Sequence, residues 1–191
     1  MVRLDGRTVL IAGASAGIGA HFAGALAGAG ARVVLGARRL AKAREVAGVI
    51  GEAALAVELD VADEASVIAA FDAAQARFGT VSGIVANAGV GTGGRSTDSA
   101  VSGLRTVLDT NLLGAYLVAR EGARRLIAAG SRETGEGRVV LVGSITAHKA
   151  GMGDAMYAAT KAGLEHLGRN LAREWVRQGI NVNTLHPGMI P

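Results

Sequence analysis

The residues with the clearest chemical potential are Tyr157 and Lys161, which stand four positions apart in an Ala-rich stretch. On a helix over residues 154–177, the two side chains would lie on one face and reach a common point. A nearby lysine charge stabilises the phenolate of a tyrosine, whose ordinary pKa of ~10 is too high for ready proton exchange at neutral pH. Together with the upstream Ser144, the pair predicts an acid/base group for carbonyl chemistry.

By themselves these residues leave a second interpretation open, in which Tyr157 anchors a buried helix and Lys161 is a solvated surface charge. The N-terminal sequence favours the catalytic interpretation. Residues 8–12 form a short apolar run typical of a buried strand, and a glycine-rich segment, Gly13 to Gly19, follows immediately. A strand, a glycine turn and a helix in succession predict a phosphate site, although the same glycines could form an accidental flexible turn.

The glycines of this segment have separate predicted tasks. Gly13 permits a tight turn after the strand, Gly17 lets the backbone approach a pyrophosphate, and Gly19 lets the helix lie against the sheet. The spacing is GxxxGxG, and the predicted cofactor site also includes Ser15, whose hydroxyl can contact a phosphate, and Ile18.

Apolar, strand-like runs alternate with segments of helical periodicity along the chain. The runs cover residues 8–12, 32–36, 54–59, 82–86, 138–142 and 180–185. This alternation predicts an α/β fold with a doubly wound parallel sheet, and ligands at the carboxyl ends of its strands. Residues 91–102 and 130–137 are predicted to be mobile loops, and helices are expected over 101–129 and 155–178.

Five motifs, in order along the chain, resemble those of the short-chain dehydrogenases/reductases, in particular of members similar to 3-oxoacyl-carrier-protein reductases. They comprise Gly13 to Gly19, Asn87-Ala88-Gly89, Asn111, Ser144 with Tyr157 and Lys161, and Pro187-Gly188. The resemblance implies a single dinucleotide-binding Rossmann domain over residues 1–191, with three layers α/β/α. It also implies an oxidoreductase that interconverts a ketone and a secondary alcohol by hydride transfer.

By this resemblance, Tyr157 is the general acid/base, Ser144 holds the carbonyl oxygen, and Lys161 binds the nicotinamide ribose while favouring the phenolate. Asn111 completes the relay by holding a water that links Lys161 to solvent. Four residues, Asn111, Ser144, Tyr157 and Lys161, therefore form the expected catalytic set.

The remaining cofactor contacts are implied in the same way. Asp60 and Val61 would border the adenine, and Asn87-Ala88-Gly89 would run beneath the ribose. The nicotinamide would meet the segment Pro187, Gly188 and Ile190. On the sequence alone, Asp60 could instead begin a helix and Asn87 could close a turn.

The second strand-like run is followed by Arg38, where the fingerprint for NAD has an acidic residue that binds the ribose 2′-hydroxyl. A guanidinium attracts a 2′-phosphate and can bind it through two parallel hydrogen bonds. The sequence therefore favours NADP(H) over NAD(H) as the cofactor. Ala16 stands where family members often carry a further basic residue, so a moderate preference is expected.

Composition limits the other possibilities. The chain has no cysteine, 50% hydrophobic and 3% aromatic residues, and a net charge of +4 with its basic residues scattered among acids. These values favour a cytoplasmic protein with no disulfide and no nucleic-acid partner. The uncharged stretch between Arg7 and Arg32 is interrupted by glycines, so no membrane span is expected. His148, His166 and His186 lack metal-ligand spacing in the sequence, and no metal is predicted.

The sequence ends at Pro191, directly after the last motif, whereas the family usually continues into substrate-covering helices and one more strand. We therefore expect a C-terminally short protein whose strand 180–185 is an unprotected edge. The helices at 101–129 and 155–178 correspond to family dimer surfaces, so a homo-oligomer, dimer or tetramer, is expected. One alternative stays open: a catalytically silent NADP(H)-binding protein that works as a subunit or sensor.

Overall fold

A six-stranded parallel sheet forms the centre of the protein in a computed structural model that describes residues 3–188. The strands are β1 (Thr8–Ala12), β2 (Arg32–Ala37), β3 (Ala54–Glu58), β4 (Gly83–Ala86), β5 (Gly137–Val142) and β6 (Ile180–Leu185). Their order is β3-β2-β1-β4-β5-β6, and every pair is parallel. Strands β1 to β3 are added toward one edge of the sheet and β4 to β6 toward the other, so the strand order reverses between β1 and β4. Doubly wound sheets bind ligands at this point. The predicted fold class is confirmed.

Helices cover both faces of the sheet, because consecutive residues of each buried strand point to opposite sides. They are α1 (Gly17–Gly28), α2 (Leu40–Ile50), α3 (Glu64–Phe78), α4 (Val101–Leu108), α5 (Ala115–Ala128), α6 (Ser131–Thr134) and α7 (Ala155–Trp175). In residues 3–188, no helix combines the length and the apolar character that crossing a membrane requires.

The core consists of two apolar clusters, one on each face of the sheet. On one face, Ile11 and Leu35 pack in the cluster that contains Ala23 of α1 and Ala43 of α2. On the opposite face, the larger cluster includes strand residues such as Leu10 together with buried side chains of α3, α5 and α7. The strand sequences are therefore nearly continuous apolar runs, as expected for a parallel sheet that is covered on both sides.

Three predicted segments differ in detail from the structure. The helix expected over 101–129 is interrupted by a π-helical turn at Asp109–Gly114, where the helix widens and Asn111 turns inward to bond the backbone of Val90. The expected loop 130–137 contains the short helix α6, whose Ser131 hydroxyl donates to the Gln178 carbonyl oxygen over 2.6 Å. The loop 91–102 includes a 3₁₀ turn at Ser96–Asp98.

Helix α5 approaches the sheet through Gly122. A Cβ atom at this position would lie 2.6 Å from Ile84 Cγ1 and 3.2 Å from Phe71 Cζ, which is too close for a side chain. Both neighbours belong to the larger core cluster, so neither can move aside without disturbing other packing. The glycine is therefore required by packing and not by backbone conformation.

We predict that Gly122→Ala lowers the free energy of unfolding by about 1–3 kcal/mol because the added methyl overpacks the core. The matched control is Gly48→Ala in α2, where nothing lies within 4 Å of the new Cβ. That variant should gain about 0.5–1 kcal/mol from helix propensity. Urea unfolding at one fixed protein concentration measures both, and equal effects of the two substitutions would contradict this account of α5.

Candidate active site

A cleft runs along the carboxyl ends of the strands at the β1/β4 reversal. It consists of two adjoining cavities of about 320 Å³ and about 240 Å³. Asn87, Gly89 and Val90, from the segment that follows β4, line both cavities. The two cavities therefore share one side and form a continuous cleft.

The glycine segment after β1 forms a tight turn against the segment after β4. Gly13 has φ +81°, and a Cβ on it would lie 2.7 Å from the Ala88 Cα. A Cβ on Gly19 would lie 2.2 Å from the Gly13 carbonyl oxygen. Side chains at these positions would force the backbones apart, so both glycines are needed for the approach of α1 to the sheet.

Helix α1 begins at Gly17 (φ +56°) at the edge of this turn. The residue before it, Ala16, supplies no side-chain cap, and the first turn contains no acidic residue. The N–H groups of this helix start are therefore available to a phosphate, which the helix dipole also favours.

The carboxamide of Asn87 connects the two strand ends. Its Nδ2 donates to the Gly13 carbonyl oxygen over 3.0 Å, and its backbone N–H donates to the Ala12 carbonyl oxygen over 3.2 Å. These bonds join the end of β4 to the turn after β1. Asn87 therefore braces the glycine turn as well as lining the cleft.

Two arginines border the larger cavity. Arg38 and Arg39 both line it, and Arg39 Nη2 donates to Ser15 Oγ over 3.2 Å. Sequence reasoning selected Arg38 but not Arg39. Both side chains are exposed, and their guanidinium groups can bind an anionic group of a ligand in the cavity.

Asp60 and Val61 line the opposite wall of the same cavity. One carboxylate oxygen of Asp60 accepts from the Ala62 N–H over 3.0 Å and closes a local turn. The cap of α3 is Asp63, whose Oδ1 accepts from the Ala65 N–H. The alternative that Asp60 begins this helix is therefore wrong.

The smaller cavity brings together Ser144, Tyr157 and Lys161 from two elements. Ser144 follows β5, whereas Tyr157 and Lys161 lie on successive turns of α7. Lys161 is 3% exposed, and its Nζ lies 5.6 Å from the centroid of the Tyr157 ring. The predicted convergence of phenol, hydroxyl and amine at one cavity is thus present in the structure.

The Lys161 ammonium donates to the Val142 carbonyl oxygen over 2.7 Å. Burial lowers the pKa of Lys161 to about 8, because the charged form loses contact with water. At neutral pH this lysine therefore stays mostly protonated, but it can lose its proton at moderately alkaline pH.

The hydroxyl of Ser144 is oriented by Thr146. Ser144 Oγ accepts from the Thr146 N–H over 3.2 Å and from Thr146 Oγ1 over 2.9 Å. Because its oxygen already accepts two bonds, the hydroxyl proton of Ser144 remains for another acceptor. Sequence reasoning did not single out Thr146, which has no motif of its own.

Asn111 lies fully buried in the π-helical turn, beneath the cleft. Its Oδ1 accepts from the Val90 N–H and its Nδ2 donates to the Val90 carbonyl oxygen, both over 2.8 Å. A Cβ on Gly89 would lie 3.4 Å from both Asn111 Oδ1 and Lys161 Nζ. Asn111 therefore fixes the segment after β4 close to the lysine amine.

The two cavities collect most of the predicted site residues. Those that line them are Gly13, Ser15, Ile18, Arg38, Asp60, Val61, Asn87, Ala88, Gly89, Ser144, Tyr157, Lys161, Pro187 and Gly188. Gly17 and Gly19 shape the turn beside them, and Asn111 lies below. Ile190 falls outside the described residues.

A further group of side chains was not foreseen from spacing. His148 and His186 meet Glu165 within 4.8 Å, and His166, next to Glu165 in sequence, is not part of the group. Sequence spacing failed here because the three residues come from different elements and become neighbours only in the folded chain.

Comparison with known proteins agrees with this geometry. The family model described as short chain dehydrogenase matches residues 7–191. A 3-alpha-(or 20-beta)-hydroxysteroid dehydrogenase of Mycobacterium bovis is 34% identical over 98% of this chain and 70% of its own length. These matches extend over both cavities and all the motifs.

Solved structures give the same result. A 3-ketoacyl-(acyl-carrier-protein) reductase from Brucella melitensis, complexed with NADH, superimposes with a TM-score of 0.92 at 34% identity, over 96% of this chain and 76% of that one. A gluconate 5-dehydrogenase from Burkholderia cenocepacia, in complex with NADP and tartrate, superimposes with a TM-score of 0.89 at 35% identity. The match covers 97% of this chain and 72% of that one. The chain therefore belongs to the short-chain dehydrogenase/reductase family of NAD(P)-dependent oxidoreductases.

Proposed function

We propose that this protein is an NADP(H)-dependent oxidoreductase that interconverts a ketone and a secondary alcohol, with Tyr157 as the general acid/base. The observation that carries the proposal is the cavity where Ser144, Tyr157 and Lys161 meet, which adjoins the glycine turn through Asn87 and Gly89. A proton donor thus stands at one end of a cleft whose other end suits a nucleotide phosphate.

The residues of the cleft fit a dinucleotide. Gly13 and Gly19 let the glycine turn, the segment after β4 and the start of α1 approach one another closely. The uncapped start of α1 offers N–H groups to a pyrophosphate. In this proposal Asp60 and Val61, which line the larger cavity, border the adenine. Pro187 and Gly188, which line the smaller cavity, border the nicotinamide. A bound nicotinamide supplies the hydride in reduction and accepts it in oxidation.

Proton transfer is assigned to this chain's own side chains. In reduction, the Tyr157 hydroxyl gives its proton to the carbonyl oxygen of the substrate, while Ser144 donates a hydrogen bond to that same oxygen. In oxidation, the phenolate of Tyr157 takes the proton back from the alcohol. The protonated Lys161 stabilises that phenolate and holds the ribose hydroxyls.

Asn111 acts as a positioning residue in this scheme. Both ends of its carboxamide bind the Val90 backbone, and its Nδ2 also approaches Thr160 Oγ1 at 3.3 Å. The Asn111 Oδ1 and Lys161 Nζ atoms face the same glycine, Gly89. A water held between them would connect the lysine to solvent and replenish the proton.

The preference for NADP(H) rests on Arg38 and Arg39. Both line the cavity directly after the end of β2. Among the described residues that line this cavity, none of those that follow β2 directly is an acid that could bind a ribose 2′-hydroxyl. Arg39 also holds the Ser15 hydroxyl, which presents a further donor to a phosphate. Two guanidinium groups and a hydroxyl together favour a 2′-phosphate.

An apolar groove supports a homo-oligomer. Leu112, Tyr116 and Leu167 line it, and Leu108 and Leu113 at its border are 39% and 47% exposed. The groove lies between the α4–α5 segment and α7, which are the helices expected to form the subunit contact. Covering it with a second copy of the chain removes this apolar surface from water.

We predict that Tyr157→Phe retains NADPH binding but lowers kcat by about a hundredfold or more, since the general acid is lost. Tyr116→Phe is the matched control, because Tyr116 is the only other tyrosine and lies in the apolar groove. Turnover of a ketone panel is followed by NADPH absorbance. Full activity of Tyr157→Phe would remove the proposed acid, and binding without turnover in the native protein would favour the silent sensor.

We predict that Arg38→Asp lowers the ratio of NADPH to NADH affinity about tenfold or more, because an attractive charge becomes a repulsive one beside the 2′-phosphate. Arg44→Asp, on the exposed part of α2, makes the same charge change away from the cleft and should leave the ratio within about twofold. Fluorescence titration of both nucleotides measures the ratio. An equal change in the two variants would refute the assignment.

We predict that the native protein gains stability relative to Lys161→Met between about pH 8 and pH 10.5. The pKa of Lys161 is lowered to about 8 in the fold, so in this window the unfolded chain binds a proton that the folded chain has released. The difference in unfolding free energy should rise by up to about 1.4 kcal/mol per pH unit. Urea unfolding at several pH values measures it, and a flat difference would contradict the burial effect.

A further inference from the structure

Three side chains from separate elements meet beside the end of β5. His148 follows the 3₁₀ turn Ile145–Ala147, Glu165 lies on α7, and His186 follows β6. Glu165 Oε2 lies 3.2 Å from His148 Nε2 and 3.9 Å from His186 Nε2. One ligand atom from each residue lies within 4.8 Å of the other two.

The two carboxylate oxygens of Glu165 contact different partners. Its Oε1 pairs with Arg169 one turn further along α7, whereas its Oε2 faces the two imidazoles. The Glu165 side chain is only 17% exposed. Arg169 therefore fixes the carboxylate with one oxygen turned toward both histidine rings.

His186 is held in a defined orientation. Its Nδ1 lies 3.0 Å from the Ser144 carbonyl oxygen, and a Cβ on Gly143 would come within 2.6 Å of the same ring atom. The Ser144 N–H also lies 3.3 Å from Nδ1. Metal binding selects the tautomer whose Nδ1–H donates to the carbonyl, because that tautomer leaves the Nε2 that faces Glu165 unprotonated. A backbone carbonyl that orients an imidazole in this way is typical of metal-bound histidines.

We propose that His148, Glu165 and His186 form a Zn²⁺ site, with a water or other small ligand in the fourth position. Two imidazole nitrogens and one carboxylate oxygen are ligands that Zn²⁺ prefers, whereas Mg²⁺ prefers oxygen ligands alone. This site is separate from the proposed hydride and proton transfer and does not depend on it.

The distances suit this metal after a small adjustment. Tetrahedral Zn²⁺ with bonds of about 2.0–2.1 Å places its ligand atoms ~3.3 Å apart. The His148 to Glu165 distance of 3.2 Å already fits, and the 3.9 Å between His186 and Glu165 is slightly long. Because the three ligand atoms lie within 4.8 Å of one another, metal binding requires the His186 ring to shift toward Glu165. His148 is 49% exposed, so its ring can rotate toward the ion at little cost.

Metal binding would restrict the motion of the segment that carries Ser144 relative to α7. His148 lies on the loop that continues from Ser144, and His186 contacts the Ser144 backbone directly. The Ile145 N–H also donates to the Pro187 carbonyl oxygen over 3.0 Å, which already joins this loop to the segment after β6. Zn²⁺ would add a cross-link from both segments to α7.

The experiment titrates Zn²⁺ into the tag-free protein in competition with a chromophoric chelator. We expect one Zn²⁺ per chain, and a loss of affinity of at least about tenfold in each of His148→Gln, Glu165→Gln and His186→Gln. His166→Gln is the matched control, since His166 neighbours Glu165 but is not in the group. Millimolar Mg²⁺ should not compete.

Co²⁺ supplies an independent spectroscopic readout, since a tetrahedral site gives intense visible absorption that His148→Gln should abolish. His148→Gln is the decisive variant because its side chain is exposed and its loss leaves the core unchanged. Equal Tm values without metal establish that each variant folds. The proposal is overturned if the native protein binds no Zn²⁺ in the competition, or if His166→Gln weakens binding as much as His148→Gln does.

Discussion

Two backbone segments, the turn after β1 and the segment after β4, approach each other closely, and this contact positions the other parts of the cleft. Gly13 and Gly19 permit this approach, because a Cβ on either would collide with backbone atoms. Asn87 then bonds to the Gly13 carbonyl oxygen and holds the segment after β4 in place. Without this contact, the start of α1 and the floor of the cleft would not share one surface.

A buried charge forms the second centre of the site. Lys161 loses hydration in the fold, which lowers its pKa to about 8, and it regains one hydrogen bond by donating to the Val142 carbonyl oxygen. A lysine whose charge is weakly solvated interacts strongly with the groups beside it, and the Tyr157 ring is one of them. The cost of burying Lys161 is thus consistent with a functional role.

Ser144 connects the proposed catalytic cavity to the histidine group. Its hydroxyl faces Thr146, and its backbone contacts the His186 ring. The same short segment after β5 therefore carries a proposed catalytic hydroxyl on one side and leads to a proposed metal ligand, His148, on the other. A change in the position of Thr146 or of His186 would therefore reach Ser144 through a single hydrogen bond.

The fold class, the strand positions to within about one residue and the glycine turn could all be predicted from the amino-acid order, because apolar periodicity and glycine spacing are local properties. It also brought Tyr157 and Lys161 together, since residues four apart share a helix face. Three features could be found only in the folded chain: the π-helical turn around Asn111, the hydrogen bond between Arg39 and Ser15, and the contact of His148 and His186 with Glu165. These features arise from contacts between elements distant in the chain, which no local pattern encodes.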